Sequence, residues 1–313
     1  MKTKKTFIKL IIFGAILFFT ILLIKKTSPP DTDNYFVSIA DEISNSKEGS
    51  YYFIGSSRVQ KSINPELLKV HFDNENIYNM GISASTFLSN CALAEFLIIN
   101  KKPKVLFIEL SPILPELPEG LLKFSDEVDF DVFRSINSLN KHESIHQKIL
   151  INLNQLNNYT FSKISLKDDL KKILGLKDQQ SNKRAMGFVS LKGNSFNSTS
   201  KFITYREINS FQRKSNKSNS HENYINHLLE LGIKKNTKIV FFLPITYQRE
   251  KEKSITVPIF NMLSDSLKIK YSEKFIAEIT KAKYLSDSNH FNNIGAEKYT
   301  ELLYPLIESY FTN

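Results

Sequence analysis

The chain has 313 residues, a formal net charge of +10 and a single cysteine. That length supports one sizeable hydrophobic core, and a lone cysteine excludes an intrachain disulfide framework and paired Cys-x-x-Cys sites. The lysines are scattered along the chain among asparagine and isoleucine, and no Walker A or G-x-G-x-x-G run is present, so nucleotide binding has no local support.

The chain opens on an apolar run, Phe7 to Ile24, interrupted only by Lys9. As a helix rising about 1.5 Å per residue the run spans roughly 27 Å, close to the hydrocarbon thickness of a bilayer. The residues that follow, Lys25-Lys26-Thr27-Ser28-Pro29-Pro30, offer no small-x-small cleavage site, so residues 1–26 read as a membrane anchor rather than a removed signal peptide. Lys2, Lys4, Lys5 and Lys9 outnumber Lys25 and Lys26, which places the N-terminus in the cytoplasm and the bulk of the chain outside. The expectation is a single-pass protein of the bacterial cytoplasmic membrane. Residues 27–50 form a juxtamembrane linker and lead-in, and the C-terminal domain faces the extracytoplasmic side, away from nucleic acid.

From residue 51 the pattern alternates. Strands are predicted at 51–56, 76–80, 104–110 and 238–243, with a last short one at 283–286, and helices at 64–71, 84–99, 221–232 and 294–311. Parallel strands need long crossover connections, so this alternation predicts an α/β domain over 51–313 with a three-layer, flavodoxin-like parallel sheet. Right-handed crossovers bring the ends of the first two strands side by side. Cys91 falls in the helix predicted over 84–99 and reads as a small core residue. Between about 113 and 235 the alternation gives way to asparagine, serine and lysine. This insertion is a lid over a cleft or a docking surface, with helical patterns at Glu143–Leu156 and Leu166–Leu174 and polar stretches at Asn194–Ser200 and Arg213–Ser220. It also contains His142-Glu143-Ser144-Ile145-His146, the H-E-x-x-H spacing of zinc peptidases. The polar neighbours Lys141, Ser144, Gln147 and Lys148 and the lack of a distinguishing third ligand fit a solvated helix face better.

The chemistry-bearing segments lie at the two ends of the domain. Gly55-Ser56-Ser57-Arg58 follows the buried run Tyr51-Tyr52-Phe53-Ile54 and precedes a helix opening at Asn64-Pro65, which puts Ser57 at the functional edge of a parallel sheet. Asp287-Ser288-Asn289-His290 stands on the turn before the last helix. A histidine there can deprotonate Ser57 while Asp287 orients the ring and stabilises its charged form. Arg58 is a candidate for an anionic substrate group, or a partner for Glu109. That carboxylate ends a buried strand and must face the cleft or find a cation.

These blocks resemble those of the SGNH (GDSL-like) serine hydrolases and acyltransferases. Within that superfamily the N-terminal anchor, the serine pair after the glycine and the ending His-Phe-Asn-Asn-Ile-Gly-Ala are most similar to membrane-anchored proteins of the D-alanyl-lipoteichoic acid biosynthesis type. The resemblance implies Ser57 as nucleophile, His290 as general base and acid, and Asp287 as orienting carboxylate. It further implies an oxyanion hole from the backbone N–H groups of Ser57 and Gly81, with Ser111 replacing the third-block asparagine, and no cofactor. The implied substrates are acyl esters or surface glycans, with a multi-pass membrane acyltransferase as donor partner. The competing reading is a catalytically inactive assembly protein that has lost its third block.

Overall fold

The computed structural model describes residues 6–9, 12–16, 19–20, 46–72, 75–113, 184–191, 202–210, 219–246 and 248–311. Four strands, β1 (Tyr51–Gly55), β2 (Ile77–Gly81), β3 (Val105–Glu109) and a later one over Lys238–Phe242, form a parallel sheet. A two-residue hairpin, β4 (Arg184–Ala185) and β5 (Phe188–Val189), precedes that last strand, which is therefore β6. The sheet order is β2-β1-β3-β6. β1 and β3 are buried along their whole length. This accounts for their unbroken apolar runs, because a central parallel strand meets helices on both faces. The expected parallel α/β architecture is therefore present.

The helices are α1 (Ser57–Gln60), α2 (Pro65–His71), α3 (Phe87–Lys101), α4 (Tyr205–Ser210), α5 (Asn219–Lys235), α6 (Glu250–Met262), α7 (Glu273–Ile279) and α8 (Asn293–Ile307). α3 packs on α5, and α2 packs on α8. Right-handed crossovers put these pairs on opposite faces of the sheet. On one face Tyr51 stacks on Phe311 with centroids 4.0 Å apart, and Phe53 on Phe107 at 4.5 Å. Cys91 is buried in α3 as a free thiol, in keeping with a core role.

Several sequence expectations change. Residues 283–286 form no strand of the sheet. Ala282–Tyr284 is a 3-10 turn, and Leu285 makes one antiparallel bridge to Phe291 that closes a loop. Beyond β6 the sheet gains only a single parallel bridge, from Phe241 to Lys268. α6 and α7 were not foreseen, and α6 carries Pro258 in its interior. The region expected as an insertion ends in α5, which packs against α3 and β6 as a sheet-covering helix. The helical patterns at 143–156 and 166–174, the His142-Glu143-x-x-His146 motif and most of the polar stretches lie outside the described residues. Among the described residues no helix is long and apolar enough to cross a membrane. The expected anchor and linker fall partly outside them too. The described N-terminal residues are helical and expose Phe7, Ile8, Ile12, Phe13, Ile16 and Phe19.

One buried side chain ties the sheet to α1. Asn79, fully buried in β2, donates through Nδ2 to the carbonyls of Val59 (2.8 Å) and Ile63 (2.7 Å) and accepts the Gly81 N–H at 2.9 Å. The Val59 carbonyl also accepts the N–H groups of Ser62 and Ile63, so Asn79 adds a side-chain tie to the end of α1, pairs the Ile63 carbonyl just beyond it and holds the Gly81 N–H. Each buried polar group left unpaired costs about 1–3 kcal/mol. Asn79→Ala is therefore expected to lower stability by about 3 kcal/mol in denaturant titrations at unchanged m-value. A loss below about 0.5 kcal/mol would show that water or backbone relaxation replaces it.

Candidate active site

The register of the sheet builds the site. Gly55 pairs with Gly81, and Ile54 with Ile108, so the ends of β1, β2 and β3 are level. At this edge Ser56 adopts extended backbone (φ −83°, ψ −169°) and caps α1, its Oγ accepting the Arg58 N–H at 3.2 Å. Ser57 is then the first residue of α1. A Cβ on Gly55 would collide with the side chains of Val59 and Glu109, so the turn can wrap this tightly only around a glycine.

Glu109 fills the space under that turn. Its carboxylate is fully buried and accepts the Ser56 N–H (2.6 Å), the Ser56 hydroxyl (3.1 Å) and the Arg58 guanidinium (2.7 Å). Arg58 also pairs with Glu252 of α6 at 2.8 Å. Burial pulls the Arg58 pKa down, but the two carboxylates outweigh it and hold the group above its ordinary value. Arg58 and Glu109 are thus paired, as expected from the cost of an isolated charge. The guanidinium expected to meet an anionic substrate is instead committed between two internal carboxylates.

On the opposite side, Asp287 Oδ1 accepts the backbone N–H groups of Asn289 (2.8 Å) and His290 (3.0 Å), a turn that bends His290 back over its own carboxylate. The Leu285–Phe291 bridge and the bond from the Ser286 N–H to the His290 carbonyl, 2.9 Å, close the loop. Asn292 caps α8 through the Gly295 N–H at 2.9 Å and donates to the Lys283 carbonyl at 2.8 Å. A Cβ on Gly295 would strike the Tyr284 carbonyl, so this helix start can seat only glycine. The result brings Ser57, His290 and Asp287 together. His290 Nδ1 lies 2.8 Å from Asp287 Oδ2, and Nε2 lies 2.8 Å from Ser57 Oγ. With Nδ1–H donating to the carboxylate, Nε2 is the acceptor for the serine hydroxyl.

The charge states suit that arrangement. Burial is the largest influence on His290 and lowers its pKa. The Asp287 bond opposes this, while the charges of Lys61 and Arg58 add to the lowering. Burial raises the Asp287 pKa, but its bonds from His290 and Asn289 win and hold it below the ordinary value. The resting pair is therefore a carboxylate and a neutral imidazole. Lys61 was not singled out from sequence. It stands one turn beyond Ser57, its N–H donating to the Ser57 carbonyl at 3.1 Å, and sets a partly buried charge near the pair.

The two remaining expected residues occupy other roles. The Gly81 N–H is already taken by Asn79, and a Cβ on Gly81 would run into the backbone of Gln60. Its glycine identity therefore serves close packing of β2 against α1. Ser111 is buried, its hydroxyl has no partner among the described residues, and its carbonyl faces His221 Nε2 of α5 at 3.0 Å. No hydrogen bond joins it to Ser57, His290 or Asp287. The sequence reading missed the turn just past Gly81. The Ile82 N–H donates to the Gly55 carbonyl at 2.8 Å, and the Ser85 N–H to the Ile82 carbonyl at 3.0 Å, while Ala84 sits at φ 60°. No hydrogen bond among the described residues occupies the N–H groups of Ser57, Ser83 or Ala84. Ser83 Oγ donates to Gln60 Oε1 at 3.1 Å and so ties this turn to α1. A non-glycine residue at positive φ is costly and marks such turns. The run of small residues Ser83-Ala84-Ser85 was its signal in the sequence. Among the described residues, no group of three His, Cys, Asp or Glu side chains could hold a metal ion.

The folded histidine binds protons less readily than the unfolded chain, whose imidazole titrates near pH ~6.5. His290 therefore contributes stability above that pH, and the contribution is lost as the pH falls through and below it. Asp287, with its pKa depressed, contributes above its unfolded value of about 3.9 and loses this as the pH falls through its folded pKa. NMR titration of the His290 ring is expected to give a midpoint below about 6.5. A midpoint near or above about 7 would show that the aspartate outweighs burial. No protein-family model matches the chain, and no curated protein or solved structure does.

Proposed function

We propose that the chain is a serine esterase or O-acyltransferase of the SGNH type, working through an acyl-serine intermediate. The observation that carries this reading is the relay Asp287–His290–Ser57, with both contacts to the imidazole at 2.8 Å. Ser57 Oγ attacks the acyl carbonyl and its proton passes to His290 Nε2. The imidazolium then returns that proton to the departing alkoxide, leaving the acyl group on Ser57. Water or a sugar hydroxyl next attacks the ester, giving its proton to His290, and Ser57 recovers it as the acyl group departs. The developing oxyanion falls to the N–H groups of Ser57 and of the Ser83–Ala84 turn, which no hydrogen bond among the described residues occupies, and each donor is worth about 2.7–4 kcal/mol. The apolar N-terminal run and its exposed phenylalanines and isoleucines support a membrane-tethered, outward-facing enzyme acting on acylated surface glycans. A multi-pass acyltransferase is the donor partner we propose.

Intact-mass analysis of the detergent-solubilised full chain after treatment with a fluorophosphonate tests the reading. One adduct is expected on the native sequence and none on Ser57→Ala or His290→Ala. Asp287→Asn is expected to label roughly 10³–10⁴-fold more slowly, because the ring loses its orienting acceptor. Absence of any adduct on folded native protein would refute the proposal.

A further inference from the structure

The reading of Ser57 as nucleophile leaves the buried carboxylate beneath it, Glu109, without a role. Glu109 is fully buried at the end of β3, where an ionised carboxylate is costly to hold. Three donors converge on it, and two of them come from Ser56, the residue immediately before Ser57. The Ser56 hydroxyl is itself a hub. It gives its proton to Glu109 and accepts from the Arg58 N–H at 3.2 Å and from Arg58 Nε at 3.3 Å. Ser57 is thus flanked on both sides by residues locked onto one carboxylate. Gly55 appears in the sequence because any side chain there would occupy the space the carboxylate needs. A sheet–helix junction requires no such charge, since apolar side chains of similar volume fill such space at equal or lower cost.

We propose that Glu109 is the positioning residue of the nucleophile, fixing the angle at which Ser57 meets His290 and balancing the Arg58 charge beside that histidine. This rests on the serine-nucleophile reading and adds the residue that sets its geometry. Removing the carboxylate has two consequences. The Ser56 peptide and hydroxyl lose a fixed acceptor, so the nucleophile samples unproductive angles. A misplacement of about 1 Å costs on the order of 10²-fold in rate. Arg58, having lost one of the carboxylates that compensate it, also bears more strongly on His290. The charged groups acting on that ring are Asp287, Lys61 and Arg58, and less compensation of Arg58 disfavours the imidazolium. The acid limb of the pH profile therefore moves to lower pH.

The test is fluorophosphonate labelling of the full chain as a function of pH, with melting curves in parallel. Glu109→Gln keeps the volume and one acceptor oxygen but removes the charge. Labelling is expected to slow at least about tenfold at its optimum, with the acid limb displaced downward and the melt retained. Glu109→Asp, which restores the charge on a shorter arm, is expected to return the limb toward its native position. Native rate and native limb in folded Glu109→Gln would overturn the proposal, as would slower labelling with an unmoved limb, the mark of a purely structural role. Should Glu109→Gln fail to fold, Ser56→Ala decides. It removes the hub hydroxyl and is expected to slow labelling severalfold, and an unchanged rate would reject positioning through Ser56. Failure of the native protein to label sinks the nucleophile reading itself, and is distinct from a native protein that labels while Glu109→Gln labels equally well.

Discussion

Everything at the site follows from three parallel strands ending at the same level. With Gly55 opposite Gly81 and Ile54 opposite Ile108, the carboxylate of Glu109 comes under the turn that leaves β1, and the loop that leaves β2 comes alongside it. Side chains alternate across a strand, so a slip of one residue in β3 would turn Glu109 to the other face. Ser56 and Arg58 would then lose their common partner. The register is held by a core that leaves little freedom, including the stacked Phe53–Phe107 pair and the Tyr51–Phe311 contact from the end of the chain. Sheet packing and site geometry are therefore set by the same pairing.

Most of this sheet was legible because its strands are buried on both faces and read as unbroken apolar runs. Tyr51-Tyr52-Phe53-Ile54 and Val105-Leu106-Phe107-Ile108 needed no partner to be recognised. The segment 283–286 misled for the same reason, since Tyr284 and Leu285 are buried and apolar but serve a 3-10 turn and a one-residue bridge. α6 escaped because Pro258 stands inside it and proline normally argues against a helix interior. The three residues of the relay could be named from sequence because Ser57 and His290 sit beside local punctuation, a glycine and an Asp-x-x-His turn.

The rest of the site was not legible, because its residues gain their roles only through contacts distant in sequence. Gly81 was expected to lend its N–H to an oxyanion. Asn79, two residues earlier, claims that N–H, and the claim is visible only once β2 is laid against α1. The small-residue run Ser83-Ala84-Ser85 hints at a turn, but alanine is a poor choice for positive φ, so the left-handed backbone of Ala84 shows only in the structure. Ser111 sits two residues beyond Glu109, where a substitute for an asparagine would be sought, yet α5 approaches from far along the sequence and places His221 on its carbonyl.

The electrostatics of the site are internally consistent. Arg58 carries one positive charge between Glu109 and Glu252, and Lys61 sets a second near Asp287 and His290. In the proposed reaction a neutral imidazole must accept a proton in the first step of acylation, and nearby cations oppose that step. Asp287 favours it, which explains why the aspartate accepts two backbone N–H groups and yet leaves an oxygen for the ring. The carboxylate is about half exposed while the histidine is largely covered. Water therefore screens the aspartate more than the ring, and the attraction is weaker than a buried pair would give. The balance favours an imidazole that is neutral at rest and takes up a proton only transiently, which is the property a general base for serine requires.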